Sequence, residues 1–201
     1  RFSSGLSGNS VAGWMGIGSR KGLVLTSVFE QVALTGSTNA DLLARADEAP
    51  EGLWLRADAQ DGGRGRLGRE WRSPTGNLYA STIVHWRANN PPPATIAFVS
   101  AVAVYDAIAE LAPDIAIQIK WPNDLLSGMG EKFCGILLER HGDAIVVGFG
   151  VNLAWHPEGL DRPVTSLGAM DVAVPTPQQA LEILAQHFER SERGRQAHPS
   201  G

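Results

Sequence analysis

A short segment rich in arginine and glycine offers the clearest candidate chemistry in this chain: Gly63-Arg64-Gly65-Arg66-Leu67-Gly68-Arg69. Glycine lets backbone N–H groups approach an anion, and arginine offers forked donors that fit a carboxylate or a phosphate. The glycines in residues 61–68 exclude a regular element and predict a mobile loop. The segment therefore predicts an anion-binding loop, although its composition also fits a solvated or an RNA-binding segment.

A second group of polar residues is Lys120-Trp121-Pro122-Asn123-Asp124. Asp124 can hold Mg²⁺ or polarise a reacting oxygen, Asn123 can orient that oxygen, and Lys120 can meet a phosphate. Together these roles suit nucleotidyl transfer. The same residues also fit a turn that ends a strand and packs its tryptophan. The residues alone leave both interpretations open.

Two further polar positions stand at the starts of predicted elements. Lys132 opens an otherwise apolar strand; such a lysine is usually only solvent-exposed, but it can also be a cation aimed at a substrate carboxylate and a phosphate. Ser37-Thr38-Asn39 follows turn residues, and Asp41 comes three residues after Thr38, as in a capping box. The tripeptide is therefore predicted to lie at a helix N-terminus.

The elements that must position these groups follow from hydrophobic periodicity and from breaks at glycine and proline. Strands are predicted over residues 26–32, 53–57, 78–86 and 115–120, and a hairpin pairs residues 132–140 with 144–149. Helices are predicted from Thr38, over 95–111 and over 176–190. Because no βαβ unit repeats, we expect an α/β or α+β domain with a mixed, largely antiparallel sheet and flanking helices.

Composition narrows the class of protein. The 201 residues carry a formal net charge of -4, so the molecule lacks the positive field of a non-specific nucleic-acid binder. Cys134 is the single cysteine, which excludes an intrachain disulfide and favours a cytoplasmic protein. The apolar runs are too short for a bilayer, so no membrane association is expected. We expect a poorly defined segment at 1–22, one domain at 23–190 and a polar tail at 191–201.

In chain order, the motifs resemble those of the bacterial biotin–protein ligases. The set is Ser37-Thr38-Asn39, Gln60, the arginine–glycine loop, Asn77-Leu78-Tyr79, Lys120-Trp121-Pro122-Asn123-Asp124, Lys132-x-x-Gly135-Ile136-Leu137 and Gly148-x-Gly150-x-Asn152. The resemblance covers residues 35–155, and the loop and the Lys-Trp-Pro-Asn-Asp motif are highly specific in combination. It implies the catalytic fold of the biotin and lipoate ligases, which is similar to that of class II aminoacyl-tRNA synthetases.

The resemblance implies three groups of site residues. The biotin-binding group is Ser37, Thr38, Asn39, Gln60, Arg64, Gly65, Arg66 and Lys132. The nucleotide-binding group is Trp71, Lys120, Asn123 and Asn152, and the catalytic group is Lys132, Asp124 and Arg66. No metal site fixed by the protein is implied: Mg²⁺ arrives with ATP, and Asp124 is its candidate protein ligand.

The implied activity is ATP-dependent biotin ligation. Biotin and ATP form biotinyl-5′-AMP, and the biotinyl group then passes to a lysine of a biotin carboxyl carrier protein. Neither a DNA-binding domain nor the family's SH3-like C-terminal domain is expected in this chain, and a homodimer is common in the family. The alternatives are a lipoate or octanoyl transferase of the same fold and a non-enzymatic RNA-binding module.

Overall fold

A computed structural model of the chain describes residues 12–14 and 27–197. Most of the predicted segment 1–22, and residues 198–201 of the predicted tail, lie outside the described residues. The strands are β1 (Ala12–Trp14), β2 (Val28–Thr35), β3 (Leu53–Gln60), β4 (Leu78–His85), β5 (Ile117–Lys120), β6 (Asp124–Ser127), β7 (Lys132–His141) and β8 (Ala144–Val151). The α-helices are α1 (Thr38–Ala44), α2 (Thr95–Leu111) and α3 (Pro177–Ala197).

The described strands form one sheet in the order β1-β2-β3-β4-β8-β7-β6-β5. Neighbouring strands are antiparallel except β2 and β3, which run parallel. A parallel pair needs a crossover connection, and α1 supplies it. The sheet confirms the predicted mixed, largely antiparallel architecture.

Helices cover both faces of the sheet. On one face α2 and α3 pack over Trp54, whose ring centroid lies 5.6 Å from those of Phe149 and Phe188. On the other face α1 buries Leu42 in a cluster that includes Ile83 of β4. Side chains alternate along each strand, so the sheet separates these two apolar layers. Within the described ranges, no helix is long and apolar enough to cross a membrane.

Most predicted elements are present with small changes in their ends. Helix α2 spans the predicted residues, and the β7–β8 hairpin forms with β8 continuing two residues further, to Val151. Strand β6 was not predicted, because its four residues begin inside the Lys-Trp-Pro-Asn-Asp motif, whose proline favours a turn. The pairing of Asp124 with Gly135 on β7 stabilises this short strand.

Helix α3 is longer than predicted. The residues from Ser191 were expected to form a polar tail, but the helix continues to Ala197. Tertiary contacts explain the extension, because Glu192 and Arg195 are both 8% exposed. The Arg195 guanidinium pairs with Glu192 and donates from Nη1 to the carbonyl oxygen of Pro91 at 3.3 Å. A buried ion pair thus anchors a segment whose composition alone indicates solvent exposure.

Candidate active site

One cavity collects most of the predicted site residues. It holds about 220 Å³ and lies between the start of α1, the loop after β3, the β5–β6 turn and the strands β7 and β8. Its lining includes Ser37, Thr38, Asn39, Gln60, Arg64 and Gly65 from the predicted biotin group. It also includes Arg66, Trp71, Asn123, Asp124 and Lys132.

Two predicted nucleotide-binding residues do not line this cavity. Lys120 pairs with Asp124 across β5 and β6, but Lys120 is exposed. Asn152 is 3% exposed, and its Nδ2 donates to the carbonyl oxygen of Thr165 at 3.0 Å. That bond ties the end of β8 to the following segment, which is a structural role. Contact of either residue with a nucleotide stays a prediction.

The start of α1 forms the neutral end of the cavity. Ser37, rather than Thr38, caps the helix, because its Oγ accepts from the backbone N–H of Ala40 at 3.4 Å. Thr38 and Asn39 are buried beside the cavity. The backbone N–H of Thr38 donates to Gln60 Oε1 at 2.9 Å. Hydroxyl and amide groups supply both donors and acceptors here without a net charge.

A hydrogen-bonded chain fixes the orientation of these side chains. Ser81 Oγ donates to Asn39 Oδ1 at 2.6 Å and lies 2.7 Å from Thr38 Oγ1. Because the Ser81 proton goes to Asn39, the Thr38 hydroxyl is the donor to Ser81. Asn39 Nδ2 then donates to Glu139 Oε2 at 2.9 Å. Ser81 and Glu139 were missed in the sequence analysis, because their positions opposite α1 depend on strand register.

Three glycines leave room for these side chains. Gly135 and Gly150 are directly opposite each other on β7 and β8, and the indole of Trp71 lies against both. Gly148, two residues before Gly150, lies against Asn39: an added Cβ would come within 2.2 Å of Asn39 Oδ1. Side chains two apart on a strand share a face. The Gly148-x-Gly150 motif therefore leaves room for two cavity residues, Asn39 and Trp71.

Lys132 and Asp124 form a close ion pair at the centre of the site. Lys132 Nζ donates to Asp124 Oδ1 at 2.5 Å, and it lies 5.2 Å from the centre of the Trp71 ring. Lys132 is 7% exposed, so the simple solvent-exposed interpretation is wrong. Burial lowers the pKa of Lys132, and the hydrogen bond and charge of Asp124 oppose that shift.

The arginine–glycine loop extends across the cavity. Arg64 Nη2 donates to Glu139 Oε1 and Arg66 Nη1 donates to Asn123 Oδ1, both at 3.0 Å. Residues Arg66–Gly68 form a short 3-10 turn in which Leu67 has φ 59 and is 89% exposed. The loop is otherwise irregular, as its glycines predicted. Its two arginine contacts reach β7 and the β5–β6 turn.

The Lys-Trp-Pro-Asn-Asp motif forms the predicted packed turn, and it also places two polar side chains at the cavity. Trp121 stacks on Phe98 of α2 with ring centroids 3.9 Å apart, and it remains half exposed. Asn123 and Asp124 line the cavity instead. The backbone oxygen of Asn123 accepts from the N–H of Ile136 at 2.8 Å. The motif is therefore a packed turn that also supplies two polar groups to the site.

Arg162 is a cavity residue that the sequence analysis missed. It lies in an irregular segment, and no motif marks it. Its neighbours form a short parallel bridge with Lys132: the N–H of Lys132 donates to the Pro163 oxygen at 3.0 Å, and that of Thr165 to the Lys132 oxygen at 2.9 Å. The guanidinium pairs with no described residue, and its charge lowers the pKa of Lys132 further.

Comparisons with known proteins show the family of this chain. Residues 30–153 match the sequence model of the Biotin/lipoate A/B protein ligase family. Biotin–[acetyl-CoA-carboxylase] ligase of Paracoccus denitrificans is 39% identical over 79% of this chain and 70% of its own length. The chain therefore belongs to the Biotin/lipoate A/B protein ligase family.

Solved structures agree with the fold. Aquifex aeolicus biotin protein ligase in complex with biotin and ATP superposes with a TM-score of 0.77 at 26% identity, covering 85% of this chain and 72% of that one. Leishmania major biotin protein ligase in complex with biotinyl-5-AMP gives 0.71 at 27% identity, covering 82% and 74%. This chain spans only 38 to 61% of the length of seven further curated relatives.

The acidic side chains of the site do not form a metal cluster. Across residues 12–14 and 27–197, no three His, Cys, Asp or Glu side chains are grouped to hold an ion. At the centre of the site, one oxygen of Asp124 is engaged by Lys132. The one remaining oxygen of Asp124 fits a Mg²⁺ ion that brings most of its oxygen ligands from a bound triphosphate and water.

Proposed function

We propose that this chain is an ATP-dependent biotin–protein ligase. One observation carries the proposal: neutral polar side chains at the start of α1, the Lys132–Asp124 pair and Trp71 line one cavity. A ligand with an uncharged ring and a carboxylate fits the half of the cavity at α1, and a nucleotide fits the half at Trp71. The family match and the ligands of the Aquifex aeolicus and Leishmania major relatives support this division.

Biotin is proposed to occupy the neutral half. Its ureido ring has two N–H donors and one oxygen acceptor, and the side chains of Thr38, Asn39 and Gln60 offer complementary groups. The apolar part of the ligand meets Leu137, which also lines the cavity and lies on the same face of β7 as Gly135 and Glu139. The carboxylate end would then point towards the ammonium group of Lys132.

The first reaction is adenylate formation. A biotin carboxylate oxygen attacks the α-phosphorus of ATP, the bond to the bridging oxygen breaks, and pyrophosphate leaves. Lys132, Arg66 and Arg162 provide positive charge where negative charge accumulates. Trp71 provides a flat face for adenine, and its buried indole N–H lacks an acceptor among the described residues. An acceptor on the bound nucleotide would satisfy that donor.

The second reaction transfers biotin to a carrier lysine. The neutral amine attacks the acyl carbon of the mixed anhydride, an amide forms, AMP leaves and the amine loses a proton. Asp124 is placed to help position that amine, and the main contribution is proximity. The biotin carboxyl carrier protein of a carboxylase is the proposed partner, as the name of the Paracoccus relative indicates.

Mg²⁺ is proposed to arrive with ATP and to offset charge on the phosphates. The oxygen of Asp124 that is not bonded to Lys132 is the group of this chain that would contact it.

The cellular setting is proposed on the state of Cys134. This residue is fully buried and free, and burial raises the pKa of its thiol to about 12. It therefore stays a neutral, unreactive thiol, which suits a reducing cytoplasm. The absence of DNA binding and the formation of a homodimer remain predictions, to be tested by gel shift and by light scattering.

Isothermal titration with biotin, octanoate and single-stranded RNA separates the proposal from its alternatives. We expect biotin to bind and the other two ligands to give no saturable heat. Preferential octanoate binding would favour an octanoyl or lipoate transferase of the same family. Binding of RNA alone would identify the arginine–glycine loop as a nucleic-acid contact and overturn the proposal.

A further inference from the structure

Glu139 connects the neutral pocket to the arginine–glycine loop. Its two carboxylate oxygens have different partners: Oε2 accepts from Asn39 Nδ2 at 2.9 Å, and Oε1 accepts from Arg64 Nη2 at 3.0 Å. Asn39 belongs to the first turn of α1 and Arg64 to the loop, and these elements are 25 residues apart in sequence. A single side chain of β7 therefore contacts both parts of the cavity wall.

The Asn39 side of this connection is rigid. Asn39 is 4% exposed, and its Oδ1 accepts from Ser81 Oγ at 2.6 Å. That bond fixes the amide orientation, so Nδ2 must point to Glu139. Gly148 lies against the same amide and leaves it little room to move. Asn39 therefore holds the Glu139 carboxylate in place independently of the bond between Glu139 and the loop.

The Arg64 side is the adjustable one. An exposed ion pair normally contributes little, because two long side chains must be ordered to form it. Here one partner is already ordered by Asn39, and the side chain of Glu139 is 25% exposed against 42% for Arg64. The bond therefore mainly restrains Arg64, which lies near the start of the loop.

We propose that Glu139 is a positioning residue that links the pocket beside Asn39 to the closed arginine–glycine loop, with Arg64 as the latch of that loop. The proposal rests on the proposed function for its ligand, biotin, but the latch itself exists without ligand. Arg64 then acts through Glu139, while Lys132, Arg66 and Arg162 remain for the anionic groups. Because linkage is reciprocal, a ligand that orders Asn39 favours the closed loop, and a closed loop retains that ligand.

The isosteric substitution Glu139→Gln tests the latch. Glutamine has one acceptor oxygen, whereas Asn39 and Arg64 both donate, so only one of the two contacts survives. We expect backbone amides of residues 63–69 to exchange hydrogen roughly tenfold faster or more in the ligand-free protein. Arg64→Gln should have the same effect, and the double variant should be no worse than either single variant. Glu182→Gln on α3 is the control and should leave loop exchange unchanged.

A second measurement links the latch to function. In Glu139→Gln we expect release of preformed biotinyl-5′-AMP to accelerate roughly tenfold or more, while the rate of its formation at saturating substrates changes by less than about threefold. A purely structural role would instead lower thermal stability and slow both steps equally. If both single variants exchange their loop amides like wild type, the latch is wrong. If loop exchange rises but wild type makes no adenylate, the latch stands and the proposed function fails.

Discussion

Gly150 lies directly under the indole of Trp71, so close that a Cβ added to Gly150 would come within 2.7 Å of Trp71 Cε2 and Nε1. Real Cβ atoms do not approach other atoms so closely, and the ring would have to move. Gly148, on the same face of β8, has the same relationship with Asn39 at 2.2 Å. Gly148 therefore lies against Asn39, which is proposed to bind biotin, and Gly150 lies against Trp71, which is proposed to bind the nucleotide.

Alanine substitutions at Gly148 and Gly150 should impair the binding of different substrates. Gly150→Ala should displace Trp71 and raise the KM for ATP roughly tenfold or more, with biotin affinity changed by less than about threefold. Gly148→Ala should displace Asn39 and weaken biotin binding instead. Titration calorimetry and steady-state kinetics measure both quantities. Gly194→Ala, in an open position of α3, is the control and should change neither. Equal effects of the two substitutions on both ligands would contradict the division of the site.

The titration of Lys132 should respond in opposite directions to its two charged neighbours. Burial lowers the pKa of Lys132, Asp124 raises it and Arg162 lowers it. We expect Arg162→Gln to raise this pKa and Asp124→Asn to lower it, as measured by ¹⁵N NMR of the side-chain nitrogen. If both substitutions shifted the pKa of Lys132 in the same direction, the assigned effects of Asp124 and Arg162 on Lys132 would be wrong.

The lowered pKa of Lys132 predicts how protein stability and adenylate formation depend on pH. The unfolded protein binds the lysine proton up to a higher pH than the folded protein does. The contribution of Lys132 to stability therefore increases as pH rises from its folded pKa towards its unfolded value. Adenylate formation should fall in the same window, because the cation is lost. Lys132→Met should remove this part of the stability profile, which denaturant titration at several pH values would detect.

Arg66→Gly should release the intermediate. Arg66 is exposed and bonds Asn123 across the cavity, and glycine removes that bond and adds backbone freedom to the loop. We expect adenylate to form still and to leave roughly tenfold to a hundredfold faster, labelling lysines of bystander proteins. A streptavidin blot and rapid filtration measure both effects. Arg72→Gly, an exposed arginine that pairs with Glu70, is the control. Release of adenylate at the wild-type rate would contradict a role for Arg66 in retaining it.

Two arginines of α3 should differ sharply in their effect on stability. Arg195 pairs with Glu192 in a buried position, whereas the side chain of Arg193 is 54% exposed in its pair with Glu189. Arg195→Ala leaves the buried Glu192 carboxylate without its cation, with only the Gln196 amide as a donor, and should cost about 3–5 kcal/mol, while Arg193→Ala should cost less than about 1 kcal/mol. Denaturant unfolding followed by circular dichroism compares them. A cost below about 1 kcal/mol for both substitutions would mean that residues 191–197 contribute little to the fold.

The elements that could be predicted are those with a strong local signal. Helix α2 and the β7–β8 hairpin follow from apolar periodicity and from the turn at Gly142. The end of α3 could not be predicted, because its charged residues are buried through contacts with Pro91, far away in sequence. Strand β6 is too short to show a period of its own.

The site was predictable in its motifs and unpredictable in its connections. The motif residues Thr38, Gln60 and Lys132 meet in one cavity. Glu139 and Arg162 join them through strand register and a loop–strand bridge, neither of which has a sequence signature. The burial of Lys132 also depends on tertiary packing, since a lysine at a strand end is exposed in most sequences.

Biotin-dependent exchange of labelled pyrophosphate into ATP tests the central claim most directly, because it reports adenylate formation without a carrier protein. Wild-type protein with biotin, ATP and Mg²⁺ should exchange label, and omission of biotin or its replacement by octanoate should abolish the signal. Lys132→Met, which keeps the length of the side chain, should fold and lose exchange by roughly a hundredfold or more. Exchange with octanoate in place of biotin, or undiminished exchange in Lys132→Met, would contradict the account.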